Sequence, residues 1–348
     1  MKRNHNLDIL RIVAMLMIVI HHITINDIGI QAILNSGEQS LSNIQLAIGI
    51  FMNAFVVIGV NLFFLLSGYF RINFKWKKVV SIIVQIFIIF NIITLIGIFT
   101  GYVELNTETI ISMINPVREY WFLAVYIFLM FLSPYLNRLI DSLDKKEAKR
   151  VFIIIAVLFS FYAFFFDLGL SVYGGYSVIW GICMYIVGGL ISKFKVALRS
   201  GLPLYIITSI VNGIIIILLF KTGNHKTSWL LYKYNFPLVF ASSLFLFLWF
   251  NSLKINIKNT KLIGFITFLA TNTMMVYLIH SGNFLTEIRR IPTNMFIIND
   301  GFRYLPLFVP IYALLILIVC SLVSELYKRT IDKLVTKPFD KKNKKHAD

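Results

Sequence analysis

LDILRIVAMLMIVIHH, residues 7–22, decides the fold. Apart from Asp8, Arg11 and the two terminal histidines it is wholly apolar, and it runs on to about residue 26. A helix needs about 20 mostly apolar residues to cross a bilayer. Nine more stretches of this kind follow, at 44–70, 79–100, 120–140, 151–166, 175–192, 202–220, 237–253, 263–283 and 305–327. The stretch at 44–70 is long enough to be tilted or broken near Gly59, and 151–166 is the shortest. The whole chain fits this pattern. Of 348 residues, 58% are hydrophobic and 14% charged, with a mean hydropathy of +0.80, whereas a soluble domain carries about 25% charged residues. The expected fold is therefore all-α, a polytopic transmembrane bundle of about ten spans. It divides into a membrane-embedded domain, 1–327, and a basic cytoplasmic tail, 328–348.

The charge distribution orients the bundle. The chain holds 33 Lys+Arg against 16 Asp+Glu, a net charge of +17. In a soluble protein this would point to nucleic acid, but here the cations lie between apolar runs. With the N-terminus in the cytoplasm, 26 of them fall on cytoplasmic segments and 7 outside. That is the bias of a membrane protein with both termini inside. Nucleic acid is excluded as a partner, and membrane lipids are expected. The KKNKKH sequence of the tail suits anionic headgroups. The first segment reads as a retained helix rather than a signal peptide, since Asp8 and Arg11 interrupt it and no small-residue cleavage site follows. Cys183 and Cys320 lie in apolar runs and read as small hydrophobes, without a CxxC metal site.

Ionisable residues inside spans are expensive and point to function. Arg11 and His22 stand eleven residues apart, about three helical turns, so they share one face roughly 16 Å apart along the axis. His21 is rotated about 100° from His22. Asp8 is placed to pair with Arg11. A cation near the cytoplasmic surface and an imidazole deep in the membrane would let an anionic cytosolic ligand be held at one end while the other end meets a base active near neutral pH. The alternatives are that Arg11 snorkels to the headgroups and that His22 is a hydrogen-bonded structural residue. None of the six histidines has a metal-ligand spacing.

The first helix resembles that of the acyltransferase-3 family of membrane acyltransferases, marked by Arg, ten residues, then His. Four further segments are similar to family motifs in the same order: VNLFFLLSGYF (60–70), EYWFLAVYIFLMFLSPYL (119–136), GICMYIVGGLI (181–191) and NTMMVYLIH (272–280). The resemblance implies transfer of an acyl group, usually acetyl from cytosolic acetyl-CoA, to a hydroxyl of a surface or secreted glycan in the plasma membrane. The acyl-CoA is a donor substrate and no permanent cofactor is implied. His22 and Arg11 would form the catalytic pair, with Arg11 binding or orienting the donor. Arg71 and Lys75 would help hold its phosphates. Some members carry Arg-x-x-Arg at that place, whereas this chain reads RINFKWKK, so Lys75 supplies a point charge without the guanidinium fork. Ser67, Tyr120, Trp121 and His280 are expected to touch or support the acceptor. Each also has a plainer reading. Ser67-Gly68 suits close helix packing, Tyr120 and Trp121 suit the outer aromatic belt, and His280 suits a structural hydrogen bond at the outer end of its helix. Glu325 is placed to pair with Lys328. Ser281 lacks a GxSxG elbow.

Some family members add an extracytoplasmic hydrolase-like domain, which is not seen here, so the chain would acylate its acceptor directly or pass the acyl group to a partner, such as a polysaccharide-assembly protein. Two rivals remain at this level. One is a transporter or flippase of a glycan or lipid-linked intermediate, against which stands the lack of paired Gly/Pro-broken helices in matching halves. The other is an acyl-translocating subunit that works with a separate transferase.

Overall fold

The computed structural model describes residues 4–37, 42–166, 172–298 and 304–332, and among them there is no strand. Helix α1 (His5–His22) starts on an Asn4 cap and passes into a π-helical turn, Ile23–Asp27. Then come α2 (Ile30–Ser36), α3 (Asn43–Val56), α4 (Gly59–Tyr69), α5 (Trp76–Phe99), α6 (Thr107–Ile114) and α7 (Trp121–Ser142). Helix α8 (Lys145–Ile154) continues through a π-helical stretch, Ile155–Tyr162, into α9 (Ala163–Phe166). The remainder is α10 (Val178–Phe194), α11 (Gly201–Lys221), α12 (His225–Leu230), α13 (Pro237–Ser252), α14 (Thr260–His280), α15 (Asn283–Ile298) and α16 (Leu305–Tyr327).

Among the described residues eight helical runs have the length and hydropathy to cross a bilayer, and the shorter apolar helices α10 and α13 bring the number to ten. Each expected span falls on one of them. The span at 44–70 is indeed broken, at Val57–Ile58 between α3 and α4. The shortest expected span starts earlier than its apolar residues suggest. Asp144 and Glu147 form a capping box that begins the helix at Lys145, so the basic residues 145–150 are helical. Beyond the expected spans, the segment after His280 forms α15 rather than a loop. Residues 333–348, most of the basic tail, lie outside the described residues.

The helices present Ile, Leu, Val and Phe outward, for example Phe87, Leu95, Ile207, Leu218, Leu315 and Leu322. An outward face of this kind is stable against hydrocarbon, where helices satisfy their own backbone hydrogen bonds. Inside, small residues let backbones meet. A Cβ at Gly188 of α10 would run into the Leu65 carbonyl of α4, and one at Gly68 of α4 would run into the Tyr185 carbonyl of α10. Polar bonds lock the same pair of helices. Buried Asn61 on α4 accepts from Trp180 Nε1 (2.9 Å) and donates to the Tyr234 carbonyl (2.9 Å) and Ser243 Oγ (3.1 Å). At one end of the bundle Lys193 donates to the carbonyls of Ile140, Asp141 and Leu143, which closes the C-terminus of α7. Glu325 pairs with Arg329 (3.1 Å) rather than with Lys328, because Lys328 turns inward to Asn272 Oδ1 on α14, which also accepts from Ser324.

Replacing Gly188 with Ala is expected to destabilise the protein by about 3 kcal/mol, as overpacking against a backbone carbonyl does. Gly264, with open space around it, gives the contrast: Gly264→Ala should raise stability by up to about 1 kcal/mol through helix propensity. Thermal unfolding of the two variants in detergent measures the difference.

Candidate active site

Two arrangements lie at different levels of α1. The first is a cavity of about 580 Å³ between α1, α4, α5, α7 and α14. Its cations are Arg11, Arg71 and Lys78, and its polar wall includes Ser67, Asn73, Ser81, Gln85, Tyr126, Thr271 and Thr273. Its apolar side is formed by Met15, Phe63, Phe122, Met274 and Tyr277. Arg11 reaches Asp8 (3.3 Å) and lies over the Phe70 ring at 5.4 Å, so it is held at the wall rather than left to follow the headgroups.

Arg71 is fixed by the turn that ends α4. Its backbone takes φ 55°, the left-handed region that a non-glycine residue adopts only under constraint. The constraint comes from α10 and α7. The Tyr185 hydroxyl accepts from the Ile72 N–H (3.0 Å) and donates to Asn137 Oδ1 (2.8 Å), while Asn137 Nδ2 donates to the Ile72 carbonyl (3.1 Å). The Arg71 guanidinium then meets the Asn137 carbonyl (3.3 Å) and Asp141 (3.2 Å). The family-like segments 60–70, 119–136 and 181–191 thus meet near this turn, and Tyr185 joins them. Lys75, expected beside Arg71, immediately precedes α5 and does not line the cavity; Lys78, in the first turn, does. Lys78 shares a face of α5 with Ser81, Ile82 and Gln85, which also line the cavity, whereas Lys75 precedes the helix.

The second arrangement is a histidine pair at the far end of α1. His280 Nδ1 lies 2.6 Å from the Val276 carbonyl and His280 Nε2 lies 3.1 Å from His22 Nδ1. A carbonyl only accepts, so neutral His280 carries its proton on Nδ1 and its Nε2 accepts. His22 must then carry its proton on Nδ1, which leaves His22 Nε2 as the lone-pair nitrogen. His21 faces away, as its rotation on α1 predicts, and bonds Asn53 Oδ1 at 2.6 Å. His280 is 3% exposed: it is an interior partner of His22 rather than a residue at an open outer face.

Sequence reading missed two charges here. Asp27, on the π-turn after His22, and Arg289, on α15, form a buried ion pair. In the charge distribution Arg289 is one of the seven cations that fall outside the cytoplasmic segments. An acid and a base at the apolar ends of two distant segments were the only signal. Their meeting depends on α15 folding back, which spacing does not reveal.

The other expected residues pack around these two arrangements. Tyr120 is 1% exposed and its hydroxyl donates to the Leu278 carbonyl (3.0 Å), so it braces the end of α14. Trp121 packs in an aromatic cluster with Tyr176 and Tyr234, with ring centroids at 4.7 and 5.7 Å. Lys233 lies over the Tyr176 ring (5.0 Å), and partial burial pushes its pKa down. Ser67 lines the cavity with its hydroxyl bonded back to the Phe63 carbonyl (2.8 Å). Among the described residues no His, Cys, Asp or Glu cluster could hold a metal ion. Tyr277 connects the two levels: it lines the cavity and its ring centroid is 6.0 Å from that of His280.

A bundle of apolar helices with a basic, polar-walled cavity and, further along α1, a half-buried histidine bonded to a buried one on α14 defines a polytopic membrane protein with an internal polar cavity. The acyltransferase-3 family, described as an acyltransferase domain, matches residues 4–325. The chain belongs to that family and is a membrane acyltransferase. No curated protein and no solved structure matches it.

Tyr185→Phe should leave the buried Ile72 N–H without its acceptor and lower stability by about 1–3 kcal/mol. Thermal unfolding in detergent reads the loss.

Proposed function

We propose that this protein moves an acetyl group from acetyl-CoA to a hydroxyl of a cell-surface or secreted glycan, in the plasma membrane with its N-terminus in the cytoplasm. The observation that carries the proposal is the placement on α1 of a cation at the basic cavity and of an imidazole with a free lone pair toward the other end. A CoA ester is a polyanion with a long neutral arm and a small reactive end. Arg71 and Lys78, at the end of the bundle that holds the N-terminus, suit the phosphates, with Lys78 in the first turn of α5, where the helix dipole also favours negative charge. Arg11 lies further along the wall and suits the arm or the remaining charge. The apolar side at Met15, Phe122 and Tyr277 suits the thioester end. The positive-inside bias puts this mouth in the cytoplasm, where acyl-CoA is found.

His22 serves as general base. Its Nε2 takes the proton of the acceptor hydroxyl as that oxygen bonds to the acetyl carbon. The carbon–sulfur bond breaks, and the CoA thiolate takes the proton from the imidazolium. Charge on His22 develops against His280 Nε2, which accepts the Nδ1–H bond throughout. Attack by His22 Nε2 on the thioester, with an acetyl-imidazole passed on to the acceptor, uses the same atoms in two steps. The cavity lining ends at Met15 and Tyr277 and does not include His22, so the donor end must move past these side chains in either route.

Purified protein supplied with labelled acetyl-CoA and glycan from a strain lacking the gene tests the proposal. His22→Ala should abolish transfer while leaving the fold intact; wild-type turnover in that variant would refute the mechanism, and transport of glycan without ester formation would favour a transporter. Lys78→Gln should raise the KM for acetyl-CoA about five-fold, ~1 kcal/mol for a partly exposed charge contact. Lys75→Gln should leave it unchanged.

A further inference from the structure

Arg289 uses its whole guanidinium fork. Nε donates to Asp27 Oδ2 (2.7 Å), the second terminal nitrogen donates to Asp27 Oδ1 (2.9 Å), and the first donates to the backbone carbonyl of His280 (2.7 Å). Both side chains are almost fully enclosed, at 4% and 0% exposure. The two anchor points are not arbitrary. Asp27 stands five residues after His22 on the continuation of α1, and the π-turn between them re-aims the chain, since the Ile28 N–H bonds back to the Ile23 carbonyl. His280 is the last residue of α14. The fork therefore ties the end of the helix that carries His22 to the end of the helix that carries His280. Arg289 is itself held by α15, and the Tyr312 hydroxyl on α16 donates to its backbone carbonyl (3.3 Å).

We infer that Arg289 and Asp27 are positioning residues for the transfer reaction, setting the His22–His280 hydrogen bond and through it the tautomer that leaves His22 Nε2 free to take a proton. The inference rests on the proposed role of His22 as the base. A bidentate fork with a third bond admits one relative placement of its partners, whereas a lysine would supply charge without it. A buried ion pair adds little net stability over apolar residues of the same shape, because removing both charges from water costs nearly as much as their attraction returns. Its contribution here is geometric. At 3.1 Å the imidazole–imidazole bond has little slack, and a shift of an ångström between the two helix ends would break it. His22 would then be released to place its proton on either nitrogen. The rest of the electrostatic setting agrees with this. Arg290 lies 4.0 Å from Asp27 and 2.9 Å from Glu287, so the clamp is closed by a second charged layer at its exposed side, while the histidine side is occupied by His280, His22 and the Ser281 hydroxyl, 3.5 Å from His280 Nε2.

The test uses full-length protein in detergent with Arg289→Lys, which keeps the charge and removes the fork, and with the charge-neutral pair Asp27→Asn/Arg289→Gln in case the lysine leaves the buried carboxylate short of hydrogen bonds and prevents folding. Two quantities are read: steady-state transfer from acetyl-CoA to glycan, and the ¹⁵N NMR spectrum of histidine-labelled protein, which reports the tautomer of each ring. The expected result is a fall in kcat on the order of 100-fold, the scale for a catalytic group displaced by an ångström. The KM for acetyl-CoA should stay within about two-fold, since the basic cavity is separate, and the His22 signal should lose its Nδ1–H form. A folded variant with wild-type kcat and an unchanged His22 tautomer, or one that changes only KM or thermal stability, would overturn the inference and leave the pair a structural anchor for α15. Retention of transfer by His22→Ala would instead refute the proposed function on which it rests.

Discussion

The backbone contact between α4 and α10 is the constraint on which the site depends. Gly68 and Gly188 allow two helices to meet carbonyl to Cα, and no side chain fits at either place. That approach brings the Tyr185 hydroxyl under the turn after α4, where it holds Ile72 and Asn137. The turn in turn holds Arg71 in a left-handed conformation at the cavity mouth. In hydrocarbon there is no hydrophobic force to drive helices together, so small residues and interior hydrogen bonds must do so. Gly68, after Ser67, and Gly188, three residues after Tyr185, are therefore first of all packing devices, and through them Arg71 is placed at the cavity.

Much of this was legible in the sequence, because a bilayer restricts the possible answers so severely. Ten apolar runs could hardly be anything but helices, and the break before Gly59 was visible in the length of its run. Arg11, His22 and the rotation of His21 followed from the helical period alone, since α1 is regular across all three. What periodicity could not supply was contact between distant segments. Nothing in a single chain's spacing couples residue 22 to residue 280, or 27 to 289. Lys75 was named from the position of a family motif, whereas the start of α5 at Trp76 puts Lys78 on the cavity wall, and a motif does not show where a helix begins. Helix α15 was missed because its charges and Pro292 look like those of a loop, although its residues bury Arg289 and Thr293.

The structure also changes the roles of residues that the sequence placed at a membrane surface. Tyr120 and His280 looked like groups at an outer interface, yet both are enclosed and both hold the end of α14. An aromatic or histidine at the end of a span has two ways to satisfy its polar atom, by water or by a neighbouring backbone carbonyl. Here the second is the one taken, and for His280 the packing of α15 against the end of α14 closes the way to water.

In the proposed reaction the division of labour along α1 has a physical rationale. A donor that is a polyanion is bound most strongly near water and basic residues, while proton transfer from an acceptor hydroxyl is most effective where water is excluded and dipoles are fixed. One rigid helix satisfies both requirements by carrying Arg11 at one depth and His22 at another, so the two sites keep a constant separation whatever the rest of the bundle does. The side chains between them, Met15 on α1 and Tyr277 on α14, then acquire a role of their own. They close the cavity short of the imidazole, so a thioester reaches His22 only when its arm displaces them. Water entering through the empty cavity meets the same barrier on that path until a donor long enough to cross has bound. Hydrolysis of the donor is thereby disfavoured by the same packing that separates the two ends of the site.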